Sequence, residues 1–291
     1  MNFEERALSF SCQDSWLYGI LSLPEKVISR GVLIVVGGPQ YRVGSHRQFM
    51  LLARDLATHG VPVMRFDYRG MGDSEGDARN FEGIEDDLSC AIDQFFEKVD
   101  ALKEVVIWGL CDAASAALFY AYQDRRVTGL VLLNPWVRTD KGIAKARLKH
   151  YYVTRLLDPA FWSKIWQGQF SFTKAAQSFS KNVSEALVGR KGNVAILKDG
   201  AFDESCNAAS LPERMFDGFK LFKGKVLLIT SGADLTAQEF TDLVKASPKW
   251  QKLLGSPNVR SFDIPEADHT FSRQEWRDQV ACGTREWIQS W

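Results

Sequence analysis

The chain lacks a net charge: 36 lysines and arginines are matched by 36 aspartates and glutamates across 291 residues. That balance gives no electrostatic reason to bind nucleic acid or an anionic membrane surface. Basic clusters such as residues 145–149 then fit a solvated helix face. Long apolar runs are also missing. Runs such as residues 32–36 and 130–133 fall far short of the ~20 residues that span a bilayer. The N-terminal Met1-Asn2-Phe3-Glu4-Glu5-Arg6 has no basic stretch followed by an apolar one, so no signal peptide is expected there. Repeats and low-complexity tracts are absent. Cysteine is sparse: Cys12, Cys90, Cys111, Cys206 and Cys282 are odd in number and show no CxxC or metal-ligand spacing. This predicts a reduced, cytoplasmic chain with neither a disulfide framework nor a zinc site. The Gly-rich stretch Gly70-Met71-Gly72-Asp73-Ser74-Glu75-Gly76 has no Gly-Lys-Ser/Thr and no complete GxGxxG. No metal, nucleotide or redox cofactor is expected, and the oligomeric state is open.

What is present is an ordinary globular composition, 45% apolar and 25% charged, on a chain long enough for one large α/β domain with an insert. Residues 7–23 contain two β-like pieces and predict a hairpin. Apolar runs at 31–36, 61–67, 105–110, 130–134, 226–231 and 259–264 predict strands. Helix patterns at 46–59, 81–99, 113–122 and 274–291 alternate with them. The strands are continuous apolar runs, which argues for a mostly parallel sheet covered on both faces by helices. Residues 138–222 break the alternation. They carry helix patterns and many aromatics, including Tyr151, Phe161, Trp162 and Trp166, with one strand-like piece at 193–197. They are expected to form a mainly helical cap inserted into a core of residues 1–137 and 223–291.

The chemistry centres on Val106-Ile107-Trp108-Gly109-Leu110-Cys111-Asp112-Ala113-Ala114. A strand runs into Gly-x-nucleophile-x-small, and an alanine-rich helix follows. Small residues are needed where strand and helix backbones pass close beneath a strained turn. Cys111 is the candidate nucleophile. Acyl transfer further needs a base, a group that orients the base, and donors for the oxyanion. His269 follows the strand at 259–264 and is the only histidine in the required nucleophile–acid–histidine order; His46 and His59 lie in or beside the first helix pattern, and His150 lies in the expected cap. Asp234 follows the strand at 226–231 through Gly232 and is the candidate acid, although an aspartate there also serves as a helix N-cap. Asp268 adjoins His269, so their side chains diverge, and Asp242 falls within a helix pattern. The oxyanion donors expected are the backbone N–H of Asp112 and one from Gly37-Gly38-Pro39-Gln40. Pro39 has none, which leaves Gly38, favoured by position, or Gln40. The Asp112 carboxylate must point away from the oxyanion or it opposes the reaction. Asp67 and Arg69 are expected to brace nearby loops.

Asp67-Tyr68-Arg69-Gly70-Met71-Gly72-Asp73-Ser74 resembles the D-x-R-G-x-G-x-S signature of many α/β-hydrolases. With the Cys111 turn, Asp234 and His269, the resemblance covers the chain apart from the insert and implies the α/β-hydrolase fold. More narrowly, the sequences from Gly37 to Phe49 and Gly109 to Ala114 resemble the exosortase A system-associated hydrolase type 1 group. That resemblance implies a cytoplasmic role beside bacterial surface-polysaccharide and protein-sorting functions. Two departures stand out. Val36-Gly37 replaces the His-Gly pair common in relatives, and cysteine replaces the usual serine. A cysteine there is similar to dienelactone hydrolases, which keep a Cys-His-Asp triad. The activity implied is an acyl hydrolase or acyltransferase, of esterase or thioesterase type. It would act on a small-molecule acyl ester or thioester through a Cys111 thioester. The alternative is a non-catalytic binding or scaffold protein on the same fold. Dehalogenase chemistry needs a carboxylate nucleophile, and Asp112 is one residue out of register for it.

Overall fold

The computed structural model describes residues 2–38, 40–137 and 209–291. The expected strand at 193–197, and the 138–208 portion of the expected cap, lie outside them. Met1–Val137 and Ser210–Trp291 form one compact unit.

Its backbone is an eight-stranded sheet in the order β1-β2-β4-β3-β5-β6-β7-β8. β1 (Phe3–Cys12) and β2 (Ser15–Pro24) form an antiparallel hairpin, and β2 pairs antiparallel with β4 (Val63–Asp67). From β4 onward, β3 (Arg30–Val35), β5 (Glu104–Leu110), β6 (Val127–Leu133), β7 (Lys225–Ser231) and β8 (Val259–Ile264) are all parallel. The continuous apolar runs have a direct cause. Along β3, Val32 and Ile34 enter one hydrophobic core while Leu33 and Val35 enter the other. Both faces are therefore dry, as parallel sheets require.

Helices cover both faces. Among the described residues these are α1 (Gln48–Thr58), α2 (Glu85–Lys98), α3 (Asp112–Tyr120), α4 (Leu211–Leu221), α5 (Leu235–Ala246), α6 (Pro248–Leu254) and α7 (Gln274–Gln289). α1 and α7 meet on one side. α4 shifts the boundary expected at residue 222, because it belongs to the sheet's unit. Its Phe216 and Phe219 pack edge-on against Trp250 at 5.3 and 6.1 Å, and Phe240 joins them at 5.7 Å. Such rings carry large apolar area into a core.

A second correction concerns cysteine. Cys12 on β1 and Cys90 on α2 are joined in a disulfide, with Cα atoms 5.7 Å apart. The expectation that every thiol is free fails, and the cysteine count no longer argues for a reducing compartment. The two lie 78 residues apart in sequence, so only the packing of α2 under the hairpin brings them together. Among the described residues, no helix is long and apolar enough to cross a membrane.

Candidate active site

The parallel strands all point their C-terminal ends the same way, and the expected site residues sit in the loops that leave those ends. Cys111 links β5 to α3 with φ 65° and ψ −123°, a conformation L-residues rarely adopt. The turn is held from below. Cys111 N–H donates to Leu133 O at 2.8 Å, and Trp136 N–H donates to Cys111 O at 3.2 Å. At Gly109 a Cβ would stand 2.7 Å from the Ala113 backbone, so only glycine lets α3 cross β5 this closely. The alanines at 113, 114, 116 and 117 are buried and continue that close packing.

His269 and Asp234 arrive from neighbouring strands. Asp234 follows β7, and His269 lies between β8 and α7. His269 donates Nδ1–H to Asp234 Oδ2 at 2.8 Å. Asp234 also caps α5: its carboxylate accepts from Thr236 N–H and Ala237 N–H, both at 3.1 Å. The two readings of this residue are therefore compatible, since one carboxylate has room for all three donors. Cys111 lies within hydrogen-bonding reach of His269, and because Nδ1 is committed to Asp234, Nε2 is left to face the thiol.

The electrostatics follow from these contacts. The Asp234 hydrogen bond and then the Cys111 contact raise His269 to about 10, against the opposing effect of burial. Burial works to raise Asp234, but its bond to His269 and the two backbone donors outweigh it, and the carboxyl stays below its ordinary value. Asp268 turns the other way. It accepts from Thr270 N–H at 3.1 Å and Ser272 N–H at 3.0 Å, fixing the His269 loop rather than the ring.

In the loop after β3, Gly38 N–H does face the Cys111 turn, with φ +59° and open space where a Cβ would be. Its partner is unexpected. Gly38 N–H donates to Asp112 Oδ2 at 2.9 Å, while Ala113 N–H donates to Oδ1 at 2.9 Å. The backbone N–H of Asp112 also donates to its own carboxylate. The expectation that this carboxylate points away from the oxyanion donors is thus overturned: it lies on them. Burial pushes the Asp112 carboxyl above its ordinary value despite these three donors. Gln40 is turned to its own loop, its side-chain oxygen accepting from Ser45 N–H at 3.2 Å.

Asp67 and Arg69 brace loops as expected. Asp67 accepts from Arg42 N–H at 2.6 Å and also pairs with the Arg42 guanidinium. Arg69 is fully buried in a forked pair with Asp87, at 2.9 and 3.0 Å. One residue escaped the sequence reading. Asn134, directly after β6, is completely buried with φ 43°. Its amide donates to Ser231 Oγ at 2.8 Å and to His269 O at 3.4 Å, and its oxygen accepts from Ser231 N–H at 2.9 Å. It ties the ends of β6 and β7 to the His269 loop. A polar residue ending an apolar strand was the available signal.

The sheet order, the strained turn after β5 and the loops after β7 and β8 define an α/β-hydrolase. The family follows: residues 29–194, more than half of the chain, match the serine aminopeptidase S33 family, and the chain belongs to it. It is thus an α/β-hydrolase enzyme. No curated protein sequence matches it. Solved structures of the same fold include the esterase Pf2001 of Pyrococcus furiosus, 16% identical with a TM-score of 0.65, covering 99% of this chain and 93% of that one. The dienelactone hydrolase of Anabaena variabilis is 17% identical with a TM-score of 0.61, covering 99% and 98%. Est1E of Butyrivibrio proteoclasticus, solved with ferulic acid bound, is 15% identical with a TM-score of 0.60, covering 97% and 98%.

Proposed function

We propose that the protein is an acyl hydrolase or acyltransferase of esterase or thioesterase type, working through a covalent thioester on Cys111. The observation that carries this is the chain of contacts from Asp234 through His269 to Cys111. A histidine raised to about 10 is a poor neutral base for a serine, because at neutral pH it already holds its proton. Beside a cysteine the same property is useful. In the resting pair the one shared proton sits on His269, so the form that reacts is a Cys111 thiolate beside a His269 imidazolium.

The thiolate Sγ attacks the acyl carbonyl carbon, and the C=O electron pair moves onto oxygen. This reading assigns that oxyanion to the Gly38 and Asp112 N–H groups, which would have to leave the Asp112 carboxylate to receive it. Collapse re-forms C=O and breaks the bond to the leaving alkoxide or thiolate, which takes the proton from His269 Nε2. Water or another acceptor then gives its proton to His269 as it attacks the thioester carbonyl, and Cys111 is released as thiolate. Asp234 holds the imidazole ring in place throughout, whether neutral or protonated.

The substrate is a small molecule bearing an acyl ester or thioester. The aromatic residues of 138–208 favour an apolar or ring-bearing acyl group. The resemblance to the exosortase A system-associated group leads us to place the activity in the cytoplasm, in exopolysaccharide-linked bacterial metabolism. The test is turnover of p-nitrophenyl esters and acyl thioesters by wild type and Cys111→Ala. The proposal expects turnover that the substitution abolishes. Undiminished turnover in Cys111→Ala would end it.

A further inference from the structure

The described part of the molecule places a negative charge where the reaction needs an empty seat. The turn after β5 and the loop after β3 present two N–H groups, those of Asp112 and Gly38, to one point beside Cys111. That point is occupied by the Asp112 carboxylate, with Gly38 N–H at 2.9 Å from Oδ2. Ala113 N–H, in the first turn of α3, adds a further bond at 2.9 Å to Oδ1. A carboxylate is planar rather than tetrahedral, but it shares with the oxyanion what those donors recognise: an oxygen bearing negative charge, seated on backbone N–H groups at a helix N-terminus. The loop is built tightly around it. At Gly37 a Cβ would reach 2.5 Å from Leu110 O and 3.2 Å from Ala113 N, so no side chain fits between loop and turn.

We infer that Asp112 is a specificity-determining gate: its carboxylate competes with the acyl oxyanion for the Gly38 and Asp112 N–H donors, and acylation of Cys111 proceeds only when it is displaced or neutralised. This inference rests on the proposed Cys111 chemistry and deepens it. The competitor is tethered next to the nucleophile, so its effective concentration is high and a weakly held substrate loses to it. Substrates with enough binding energy elsewhere displace it; small activated esters do not. The same competition acts after hydrolysis. The product is a carboxylate, which would bind those donors, and the returning Asp112 side chain clears it.

Charge around Asp112 sets when the gate is closed. Gly38 N–H, Ala113 N–H and its own N–H face it and favour the anion, as does the cation on His269 from the β8–α7 loop. Tyr68, after β4, faces it as a neutral phenol pushed above its ordinary value by burial and then by Asp112 and Asp87. Burial opposes the anion and wins, holding the carboxyl above its ordinary value. Acidification therefore neutralises the gate before an ordinary aspartate would respond.

The experiment measures the rate of Cys111 acylation by p-nitrophenyl acetate, by nitrophenolate burst and intact mass. It compares wild type, Asp112→Ala, Asp112→Asn and Cys111→Ala/Asp112→Ala, with thermal melts to confirm folding. Asp112→Ala is expected to acylate faster by about tenfold or more, since freed oxyanion donors carry large rate effects. Asp112→Asn keeps the shape without the charge and is expected to gain less. The Asp112→Ala to wild-type ratio should shrink as pH falls, and acetate should inhibit Asp112→Ala more strongly. If Cys111 is acylated in every folded variant and neither substitution speeds it, the gate is overturned while the Cys111 chemistry stands. If the double variant is acylated as fast as Asp112→Ala, the Cys111 reading itself fails.

Discussion

Asp234 bonds the histidine that faces Cys111, Asp112 follows Cys111 directly, and the two carboxylates have similar local settings. Each stands at the start of a helix, and each accepts backbone N–H bonds from the first turn or a neighbouring loop. Burial works to raise both, yet Asp234 ends below its ordinary value and Asp112 above it. The difference is one direct partner. Asp234 has the His269 ring at 2.8 Å, whereas Asp112 feels His269 only as a more distant charge. Backbone donors and a more distant charge do not offset desolvation at Asp112, whereas backbone donors with a hydrogen-bonded cation do so at Asp234. One carboxylate therefore serves as a permanent anion that fixes the base. The other is an anion held at a cost on the Gly38, Asp112 and Ala113 N–H donors, two of which the proposed reaction would use.

The contrast is broken most severely at its centre. Cys111→Ala should lower acyl turnover by about three orders of magnitude or more, read as loss of both burst and steady state. Asp234→Asn should lower turnover by roughly two to four orders of magnitude and return the His269 titration towards 6.5, followed by proton NMR of the ring. The same variant tests linkage. Because His269 is raised in the folded protein, its contribution to stability is complete below 6.5 and lost as pH rises through about 10. Because Asp234 is lowered, its contribution is present above 3.8 and lost as pH falls through its folded value. The stability gap between wild type and Asp234→Asn, measured by urea unfolding, should therefore be widest between pH 3.8 and 6.5.

A distant change should leave the contrast untouched. Replacing Cys12 and Cys90 by serine opens a long loop and should cost about 2–4 kcal/mol of stability under oxidising conditions. The chemical reactivity of Cys111 should not move with it. The finest test is Asn134→Ala. Leaving Ser231 and the His269 loop without a buried partner should cost about 1–3 kcal/mol. A positioning role predicts, in addition, a lower kcat at unchanged KM and a shifted His269 titration, neither of which simple destabilisation would produce.

The sheet could be anticipated because buried parallel strands are continuous apolar runs, and β3 shows why: its successive side chains fill two different cores. Cys111, Asp234 and His269 were visible through their order along the chain, since each follows a strand. What escaped depends on geometry that spacing does not encode. The identity of Asp112 was plain, but its side-chain direction is set by Gly38, which lies 74 residues away. The Cys12–Cys90 pair needs α2 docked under the hairpin. The start of α4 was signalled by Ser210-Leu211-Pro212-Glu213, a capping sequence whose Glu213 carboxylate accepts from Ser210 N–H at 2.8 Å. Its aromatic content made it look continuous with the insert.

The central claim is that His269 activates Cys111, and intact-mass labelling tests it most directly. Wild type, Cys111→Ala and His269→Ala would be treated with iodoacetamide and with an activated acyl ester, and the modified residue located by peptide mapping. The account predicts that Cys111 reacts first with both reagents and that loss of His269 slows it. Labelling of Cys111 no faster than Cys282, a free thiol outside the site, would contradict it and mark a site that has lost its chemistry.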